Sequence, residues 1–596
     1  MSPLVEIEGL VVEARAPSGG WVRVLDSVDL AVAPGEVVGL IGASGSGKST
    51  LGLALAGYSR PGARIVSGRI LFESRSILDL TPRELRLLRG RDIAFVPQSA
   101  AAAFNPSQTI NRQVTEIPVS RAVPDRAGAI RLAQGLYRDL GLPKPDQIGQ
   151  RYPHQLSGGQ LQRAAAAMAF AGEPKLIVFD EPTTALDVTT QVGVLAAFRD
   201  RTRASRIAAV YISHDLAVVA QIADRIVVME RGRVIDEGPC SAVIARHAPV
   251  KPPVPTAATS RGSAGRTEPL VVARDLSFRY PCSKEHAVSA VDLTVHKAEV
   301  VGLIGESGSG KTTLARIVAG LLRPAGGEVR LLGQPLPALV SQRSEQVRRA
   351  IQIVFQSADV ALNPRHTIKD ILGRPLSFLR GLNGETRAEE IVRLLALVEL
   401  PEDMADRFPR QLSGGQKQRV NLARALAAKP DLVICDEVTS ALDAPLRERI
   451  VNLLRRLREQ EDLAMLFVTH DLSTAADFAD RIAVMHKGGI VEEGPTAKVL
   501  TNPLHPYTEM LVRSIPEPKA GWLDAALTGR RAEEDHETEG CGFWSRCTRN
   551  IAGLCDQNPP QLTMVESGQR AACHAIAPRS TVSGEAADRV RQSPAL

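Results

Sequence analysis

The strongest constraint on this chain is that it carries the same ordered set of short motifs twice. GASGSGKST at residues 42–50 returns as GESGSGKTT at 305–313, and LSGGQ at 156–160 returns at 412–416. An Asp-Glu pair that begins at Asp180 returns at Asp436, and a His-Asp pair that begins at His214 returns at His470. The last three motifs all move by 256 residues (412 minus 156), a regularity that chance does not plausibly produce. The chain therefore contains two homologous lobes.

The repeat also sets the domain boundaries, because 596 residues exceed what one hydrophobic core supports. The linker between the lobes begins rich in Pro and ends rich in Gly and Ser, a composition typical of a connection that is first semi-stiff and then flexible. We predict lobe 1 at 1–247, the linker at 248–268, lobe 2 at 269–514, a cysteine-rich segment at 515–578 and a flexible tail at 579–596.

Composition and charge exclude several classes of protein. With 44% hydrophobic and 23% charged residues, the chain is neither fibrous nor wholly disordered. No run approaches the roughly 18 apolar residues that cross a bilayer, and the N-terminus has neither the basic nor the apolar region of a signal peptide. The net charge of +6 is small and interspersed, unlike the basic stripe of nucleic-acid binders. We therefore expect a soluble, cytoplasmic protein.

Each lobe alternates short apolar runs with helical stretches. Residues 37–41 lead into the first glycine loop, 176–179 into the first Asp-Glu pair, and 208–212 into the first His-Asp pair. Continuous apolar strands with functional residues at their carboxyl ends are typical of a parallel sheet that helices cover on both faces. The region 98–156 has a more helical pattern, which predicts a small helical subdomain. The predicted fold class is therefore α/β, in two copies.

Both glycine-rich motifs follow a strand and fit the P-loop pattern Gly-x-x-x-x-Gly-Lys-[Ser/Thr]. Glycines let backbone N–H groups turn inward around phosphates, and the next helix adds the positive end of its dipole. Lys48 and Lys311 would reach the β- and γ-phosphates, while Ser49 and Thr312 would place a hydroxyl on Mg²⁺. A purely structural turn is the alternative, which the Lys-Ser and Lys-Thr pairs disfavour. The other predicted phosphate-binding residues are Gly42, Ser44, Gly45, Gly47 and Thr50 in lobe 1, and Gly305, Ser307, Gly308, Gly310 and Thr313 in lobe 2.

The acidic pairs follow apolar strands, where P-loop ATPases place two carboxylates. Asp180 and Asp436 occupy the position of the carboxylate that supports Mg²⁺. Glu181 and Glu437 come next, where a carboxylate can polarise the attacking water. The alternative, that Asp-Glu simply caps a helix, is weakened because the pair recurs in both lobes.

The motif LSGGQ distinguishes this chain from most P-loop proteins. It precedes a helix in each lobe, so its serine and glycine amides would form a second anion site at a helix N-terminus. Because one nucleotide needs one such surface and one P-loop, the economical arrangement is two lobes head to tail. The residues concerned are Ser157, Gly158, Gly159 and Gln160 in lobe 1, and Ser413, Gly414, Gly415 and Gln416 in lobe 2.

With these motifs, residues 4–514 resemble the ATP-binding cassette (ABC) ATPase family. The resemblance implies that Gln98 and Gln356 are Q-loop glutamines that contact the Mg²⁺ and water site, and that His214 and His470 are switch histidines that hold the γ-phosphate. It also implies two hydrolytically competent ATP sites within one chain, without need of a homodimer. Their residues would be Lys48, Asp180 and Glu181 with Ser413 and Gly415, and Lys311, Asp436 and Glu437 with Ser157 and Gly159, with D-loop aspartates Asp187 and Asp443.

The two lobes differ where the family places the aromatic ring that stacks on adenine. Tyr280 resembles that residue in lobe 2, whereas the matching stretch of lobe 1, residues 12–15, has no aromatic side chain. Trp21 could substitute from the nearby loop. Otherwise, adenine binding at lobe 1 is expected to be weaker by about 1 kcal/mol, the contribution of one aromatic stack.

Two further elements indicate a branch of the family. NPLHPYT at residues 502–508 resembles the segment that follows the ATPase domain in oligopeptide/dipeptide importers, and both Q-loops run into an Asn-Pro element, at Asn105 and Asn363. The resemblance implies an ATPase at the cytoplasmic face of the inner membrane. It also implies two separate transmembrane permease subunits, an extracytoplasmic solute-binding protein and no nucleic acid. The transported solute stays open.

The main alternative is a soluble tandem ABC ATPase that acts on ribosomes or nucleic acid. Members that resemble translation factors carry a long, highly charged linker, whereas this linker is short and rich in Pro, Ala and Ser. The ribosome-recycling type places its iron–sulfur ligands before the first lobe, whereas these cysteines follow the second.

Four of the seven cysteines lie within 33 residues of the C-terminal segment, at Cys541, Cys547, Cys555 and Cys573. Disulfides are rare in cytoplasmic proteins, and the C-x-x-C pairs of most zinc sites are absent. The spacing resembles the cysteine motif of peptide-importer ATPases, which implies a 4Fe–4S cluster. Zinc, or no metal at all, remains an alternative. A structural clip is the simpler role for such a cluster, and redox sensing the other.

Overall fold

The structure is a computed structural model of the chain. It describes residues 2–16, 19–120, 126–183, 186–247, 268–281, 283, 285–439, 444–529, 539–566 and 568–576. The predicted linker (apart from residue 268), the predicted tail and Asp443 lie outside these ranges.

The chain forms two compact units. The first comprises Met1–Val250 together with Pro516–Thr528, and the second comprises Lys251–Ile515 together with Gly529–Leu596. The predicted cysteine-rich segment is therefore divided, because its first part packs with lobe 1 and its cysteines lie with lobe 2.

Lobe 1 contains two sheets within the described residues. One is antiparallel with strand order β2-β1-β4-β5, and the other has the order β10-β9-β3-β8-β7-β6. Its strands are β1 (Val5–Arg15), β2 (Trp21–Val32), β3 (Val37–Ile41), β4 (Ala63–Phe72), β5 (Arg75–Ser76), β6 (Ile93–Val96), β7 (Leu176–Asp180), β8 (Ala208–Ser213), β9 (Arg225–Glu230) and β10 (Arg233–Pro239).

The α-helices of lobe 1 flank the second sheet and form the predicted helical region. They are α1 (Lys48–Leu55), α2 (Pro82–Leu88), α3 (Ala100–Ala103), α4 (Ile110–Val114), α5 (Glu116–Ser120), α6 (Arg126–Asp139), α7 (Pro145–Ile148), α8 (Gly158–Phe170), α9 (Val188–Ser205), α10 (Leu216–Val219) and α11 (Cys240–His247).

Burial explains the order of the second sheet. Every residue of β3, β7 and β8 is buried, as expected for central strands that are covered on both faces. These strands pair in parallel, so their carboxyl ends meet at one edge of the sheet. The glycine loop, the Asp-Glu pair and the His-Asp pair of lobe 1 all follow these three strands, and the fold therefore brings them together.

Lobe 2 repeats this architecture with the parallel strand order β16-β17-β18-β13-β19 and an antiparallel sheet β12-β11-β14-β15. Its strands are β11 (Pro269–Phe278), β12 (Val288–His296), β13 (Val300–Ile304), β14 (Gly326–Leu331), β15 (Gln334–Pro335), β16 (Ile351–Val354), β17 (Leu432–Asp436), β18 (Ala464–Thr469), β19 (Arg481–His486) and β20 (Gly489–Pro495). Its α-helices are α12 (Lys311–Val318), α13 (Glu345–Ala350), α14 (Ala358–Ala361), α15 (Ile368–Arg380), α16 (Gly384–Leu397), α17 (Gly414–Leu426), α18 (Ala444–Glu461), α19 (Leu472–Phe478), α20 (Thr496–Thr501) and α21 (Pro506–Arg513).

The C-terminal segment contributes to both units. Its helix α22 (Trp522–Leu527) places Trp522 and Leu523 in the buried core of lobe 1, where the Gln221 side chain donates to the carbonyl oxygens of Glu517 at 2.9 Å and Lys519 at 3.1 Å. Further on, β21 (Thr563–Glu566) and β22 (Gln569–Ala571) extend the large sheet of lobe 2, because β22 pairs with β20. Cys541, Cys547 and Cys555 thus lie between α22 and β21, and Cys573 follows β22.

Candidate functional site

The two glycine loops have the closed geometry that phosphate binding requires. Gly47 and Gly310 have φ angles of 99° and 105°, in the left-handed region that favours glycine. A Cβ at Gly310 would lie 2.1 Å from the carbonyl oxygen of Ala287, so no larger residue fits there. The Lys48 ammonium is buried and donates to the carbonyl oxygens of Gly42 at 2.7 Å and Ala43 at 2.9 Å.

Lys311 makes the matching contacts in lobe 2. It is buried and donates to the carbonyl oxygens of Gly305 at 2.9 Å and Glu306 at 2.8 Å. Both lysines therefore lie across their own loops at the N-terminus of a helix, α1 or α12, where a phosphate finds backbone amides and a positive charge together.

The predicted Mg²⁺ ligands meet at the edge of each sheet. The Ser49 hydroxyl donates to Asp180 at 2.9 Å, and the Thr312 hydroxyl donates to Asp436 at 2.9 Å. Burial raises the pKa of both carboxyl groups above the ordinary aspartate value. A divalent cation at this position would favour the ionised carboxylate, and the paired hydroxyl and carboxylate oxygens suit the hard ligand preference of Mg²⁺.

In lobe 1, two predicted catalytic side chains converge on the carboxylate of a third, Glu181. The amide of Gln98 donates to Glu181 at 3.1 Å, and Nδ1 of His214 lies 3.5 Å from the same carboxylate. Glu181 has a φ angle of 47°, and its backbone N–H donates to the carbonyl oxygen of Ile212 at 3.0 Å. This left-handed turn at the end of β7 was not predicted from the sequence.

Lobe 2 repeats the convergence around Glu437, whose φ angle is 49°. The amide of Gln356 donates to Glu437 at 2.7 Å, and Nδ1 of His470 lies 3.7 Å away. Hydrogen bonding from His470 lowers the pKa of Glu437 below its ordinary value. The carboxylate is therefore held in the ionised form that can accept a proton or orient a water molecule.

The LSGGQ motifs start helices α8 and α17 with the same cap. The hydroxyls of Ser157 and Ser413 each accept from the backbone N–H of the glutamine three residues on, at 3.3 Å. Gln160 and Gln416 accept in return from the serine amides, which completes a capping box. The helix N-terminus is therefore ordered in both lobes.

The glycines within these motifs have two different environments. Gly158 and Gly414 are exposed, so their amides are open to solvent. Gly159 and Gly415 are buried, and a Cβ at Gly159 would lie 2.3 Å from the Thr190 side chain on α9. The second glycine is therefore needed for close helix packing, whereas the first is free to meet an anion.

Asp187, the predicted D-loop aspartate of lobe 1, caps helix α9. Its carboxylate accepts from the backbone N–H of Thr190 at 3.0 Å and from the hydroxyls of Thr189 at 2.7 Å and Thr190 at 3.0 Å. This contact set shows a helix cap. The role of Asp187 at a nucleotide stays a prediction.

The predicted difference in aromatic side chains between the lobes has a structural counterpart. The hydroxyl of Tyr280 lies 3.1 Å from the Thr313 hydroxyl, which places the ring beside the second P-loop, and the side chain is 40% exposed. Trp21 is also exposed, but the Arg64 guanidinium lies 4.0 Å from its ring centroid. The Trp21 ring therefore has a cation–π partner on at least one face.

The four C-terminal cysteines lie close enough for their charges to interact, since the neighbouring thiols contribute to the raised pKa of Cys541, about 11, after burial as the main cause. Backbone amides point at two of the sulfurs, with Arg549 donating to Cys547 at 3.3 Å and Ile551 donating to Cys555 at 3.4 Å. Among the described residues, however, no group of three or more His, Cys, Asp or Glu side chains is arranged to hold a single metal ion. The predicted cluster therefore stays a prediction.

In the described regions, no helix is both long and apolar enough to cross a bilayer.

Known proteins resemble this chain along most of its length. Residues 25–184 and 288–440 match the family described as ABC transporter, and residues 491–555 match the family described as oligopeptide/dipeptide transporter, C-terminal region. The chain is 36% identical over 527 residues to the peptidoglycan transport ATP-binding protein YejF of Agrobacterium fabrum, covering 86% of this chain and 96% of that protein. It is 34% identical over 546 residues to the glutathione import ATP-binding protein GsiA of Salmonella typhimurium, covering 84% of this chain and 87% of that protein.

Proposed function

We propose a function for this chain from one premise: it belongs to the family of ABC transporter ATP-binding proteins and carries the C-terminal region of oligopeptide/dipeptide transporters. It is an ATPase, and it is the energy-coupling subunit of an ABC importer for peptides or related small solutes. The observation that carries this function is the duplicated convergence of glutamate, glutamine and histidine beside a P-loop in each lobe.

The geometry assigns a role to each side chain. Glu181 or Glu437 orients and polarises the attacking water, because its carboxylate projects from the left-handed turn at the end of a central strand. The glutamine and histidine that contact this carboxylate fix its position, and at Glu437 the lowered pKa keeps it ionised. The P-loop amides and lysine bind the β- and γ-phosphates. Mg²⁺, when bound with ATP through Ser49 or Thr312, supplies positive charge that offsets the charge on the transferred phosphoryl group.

We further propose that each ATP is held by a P-loop of one lobe and the LSGGQ serine and glycines of the other, with Ser413 and Gly415 facing the first P-loop and Ser157 and Gly159 facing the second. Two ordered anion-binding surfaces in every lobe support this arrangement, since a nucleotide bound to a single lobe needs only the P-loop. Cysteines introduced at Ser44 and Ser413 test it. They should cross-link with a short bis-maleimide when ATP is added to a Glu181→Gln, Glu437→Gln chain, and cross-linking that ignores ATP would count against the arrangement.

The partners follow from the same family. We propose that two transmembrane permease subunits bind this chain at the cytoplasmic face of the inner membrane, and that an extracytoplasmic solute-binding protein delivers the solute to them. The apolar side chain of Val360, 87% exposed and four residues after Gln356, offers a contact for such a subunit.

We also propose that Cys541, Cys547, Cys555 and Cys573 hold a 4Fe–4S cluster. Amide donors to two of the sulfurs support it, because such hydrogen bonds stabilise cluster thiolates. A tetrahedral zinc ion with Zn–S bonds of about 2.3 Å would need its four sulfurs about 3.8 Å apart, which is a tighter grouping than a cluster requires. Anaerobically purified protein should be brown and contain close to four iron and four sulfide per chain. Zinc in that place would overturn the proposal.

Affinity capture tests the importer function against a soluble ribosomal one. The tagged chain is purified from gently solubilised membranes, and co-purifying proteins are identified by mass spectrometry. We expect two polytopic membrane proteins in amounts comparable to the chain. Ribosomal proteins without a membrane protein would contradict the importer function and leave the ATPase chemistry intact.

A further inference from the structure

The His-Pro-Tyr motif of the C-terminal region reaches the second P-loop. Tyr507 is fully buried, and its hydroxyl accepts a hydrogen bond from the backbone N–H of Glu306 at 2.8 Å. Glu306 is the second residue of the P-loop, directly after Gly305. The motif that marks the transporter branch therefore contacts the backbone of the nucleotide-binding loop itself.

A second residue of the C-terminal segment holds the same loop position. The guanidinium of Arg546 donates to both carboxylate oxygens of Glu306, at 3.0 Å and 2.9 Å, and both side chains are mostly buried. Two parallel charge-assisted hydrogen bonds give a strong and geometrically specific contact. Glu306 is thus fixed at its amide by Tyr507, at its carboxylate by Arg546 and at its carbonyl by Lys311.

The groups that present Tyr507 and Arg546 are themselves ordered. Glu492, which is fully buried on β20, accepts from the backbone N–H groups of Leu504 at 3.0 Å and His505 at 2.8 Å and so fixes the start of the motif. Burial lowers the pKa of His505 to about 3, so its ring is neutral and Nδ1 accepts from the Tyr507 amide at 3.0 Å.

Aromatic packing completes this support. The Phe543 ring centroid lies 5.4 Å from that of Tyr507, and the Arg546 guanidinium lies 5.5 Å from the Phe543 ring. The two contacts to Glu306 therefore rest on one packed cluster, and not on two independent surface side chains.

We infer that Tyr507 and Arg546 are positioning residues for nucleotide binding at the second P-loop. By holding Glu306 at two points, they order the loop before the phosphates arrive and reduce the entropy that binding costs. Lobe 1 has Ala43 at the corresponding position, whose side chain cannot pair with an arginine. Within the described residues, this support is therefore specific to lobe 2. The inference rests on ATP binding alone and not on the importer function.

The test measures the Kd of a non-hydrolysable ATP analogue, AMP-PNP with Mg²⁺, at one P-loop at a time in the full-length chain. A Lys48→Ala background reports on the second P-loop, and a Lys311→Ala background reports on the first. Tyr507→Phe removes only the hydroxyl, and Arg546→Gln removes the charged guanidinium group. Each should raise the Kd at the second P-loop about tenfold, as the loss of one such hydrogen-bonded contact does, and change the Kd at the first by less than about twofold.

Arg549→Gln is the matched control, because Arg549 lies three residues further on and pairs with Glu509 at 2.7 Å. It should leave both Kd values unchanged. Arg546→Lys should recover part of the loss, and Glu306→Ala combined with Arg546→Gln should be no worse than Arg546→Gln alone. An unchanged Kd at the second P-loop in both Tyr507→Phe and Arg546→Gln would overturn the inference. An equal rise at both P-loops, which indicates a general loss of structure, would overturn it too.

Discussion

The two lobes match in their chemistry and differ in what surrounds it. Hydroxyl-to-aspartate distances of 2.9 Å in both lobes, and the same left-handed turn at Glu181 and Glu437, show that the catalytic edge is built alike. Around it, the large sheet has six strands in lobe 1 and eight in lobe 2 within the described parts of the chain. The two lobes thus share their reacting groups, whereas within the described residues the contacts of Tyr507 and Arg546 with a P-loop are found in lobe 2.

The catalytic glutamates, which are alike in the two lobes, predict the largest effect. Glu181→Gln and Glu437→Gln remove the carboxylate that polarises water, and each should lower ATP turnover at its own site by about 10²–10⁴-fold without weakening ATP binding. Turnover and retained nucleotide on the purified chain measure both quantities. Glu173→Gln is a control of the same chemistry on the surface of lobe 1. Normal turnover in the double variant would remove the catalytic assignment.

The C-terminal segment supports lobe 1 in a different way, through helix α22 in its core. Loss of this packing is expected to lower the stability of lobe 1. Leu523 of α22 has no exposed surface in the core of lobe 1, so Leu523→Ala should destabilise that lobe by about 2–5 kcal/mol. Hydrogen exchange should then accelerate in α9, against which α22 packs, and not in α18 of lobe 2. Leu132→Ala, at a more exposed position of lobe 1, serves as the control. Unaltered exchange in α9 would mean that α22 contributes nothing to lobe 1.

Most of the catalytic edge could be predicted from the sequence because its groups follow buried apolar strands at fixed positions. The position of Glu181 follows from its motif and those of Gln98 and His214 from the family resemblance, and the structure brings the three side chains together. The contacts of Tyr507 and α22 could not be predicted. These contacts depend on where the C-terminal segment packs after the repeated motifs end. The hydrophobic periodicity of the sequence does not specify that packing.

The aromatic difference between the lobes predicts a smaller change. Tyr280→Ala should weaken ATP binding at the second P-loop about fivefold, the equivalent of about 1 kcal/mol for one aromatic stack. Trp21→Ala should change binding at the first P-loop by less than about twofold, since the Arg64 guanidinium packs on the Trp21 ring. Titrations with ATP and with inorganic triphosphate distinguish a contact with adenine from a contact with the phosphates. A loss of triphosphate affinity in Tyr280→Ala would point to a phosphate contact and not to adenine.

The smallest predicted effect concerns pH. His470 lowers the pKa of Glu437, so the ionised carboxylate is present above that depressed value and is lost only as the pH falls through it. Replacing His470 by Ala should raise this pKa and move the acidic limb of turnover at that site to higher pH. The profile is measured in a Glu181→Gln background, with His154→Ala, an exposed histidine of lobe 1, as the control. If the acidic limb does not move, His470 does not control the pKa of Glu437.

The central claim is that the two ATP sites share their catalytic groups but that the second P-loop has additional contacts. The most direct test of this claim is the affinity of each P-loop for an ATP analogue in the same chain. The Lys48→Ala protein, which retains the second P-loop, should bind AMP-PNP at least about fivefold more tightly than the Lys311→Ala protein, because Tyr280, Tyr507 and Arg546 all act on lobe 2. Equal affinities, or tighter binding at the first P-loop, would contradict it.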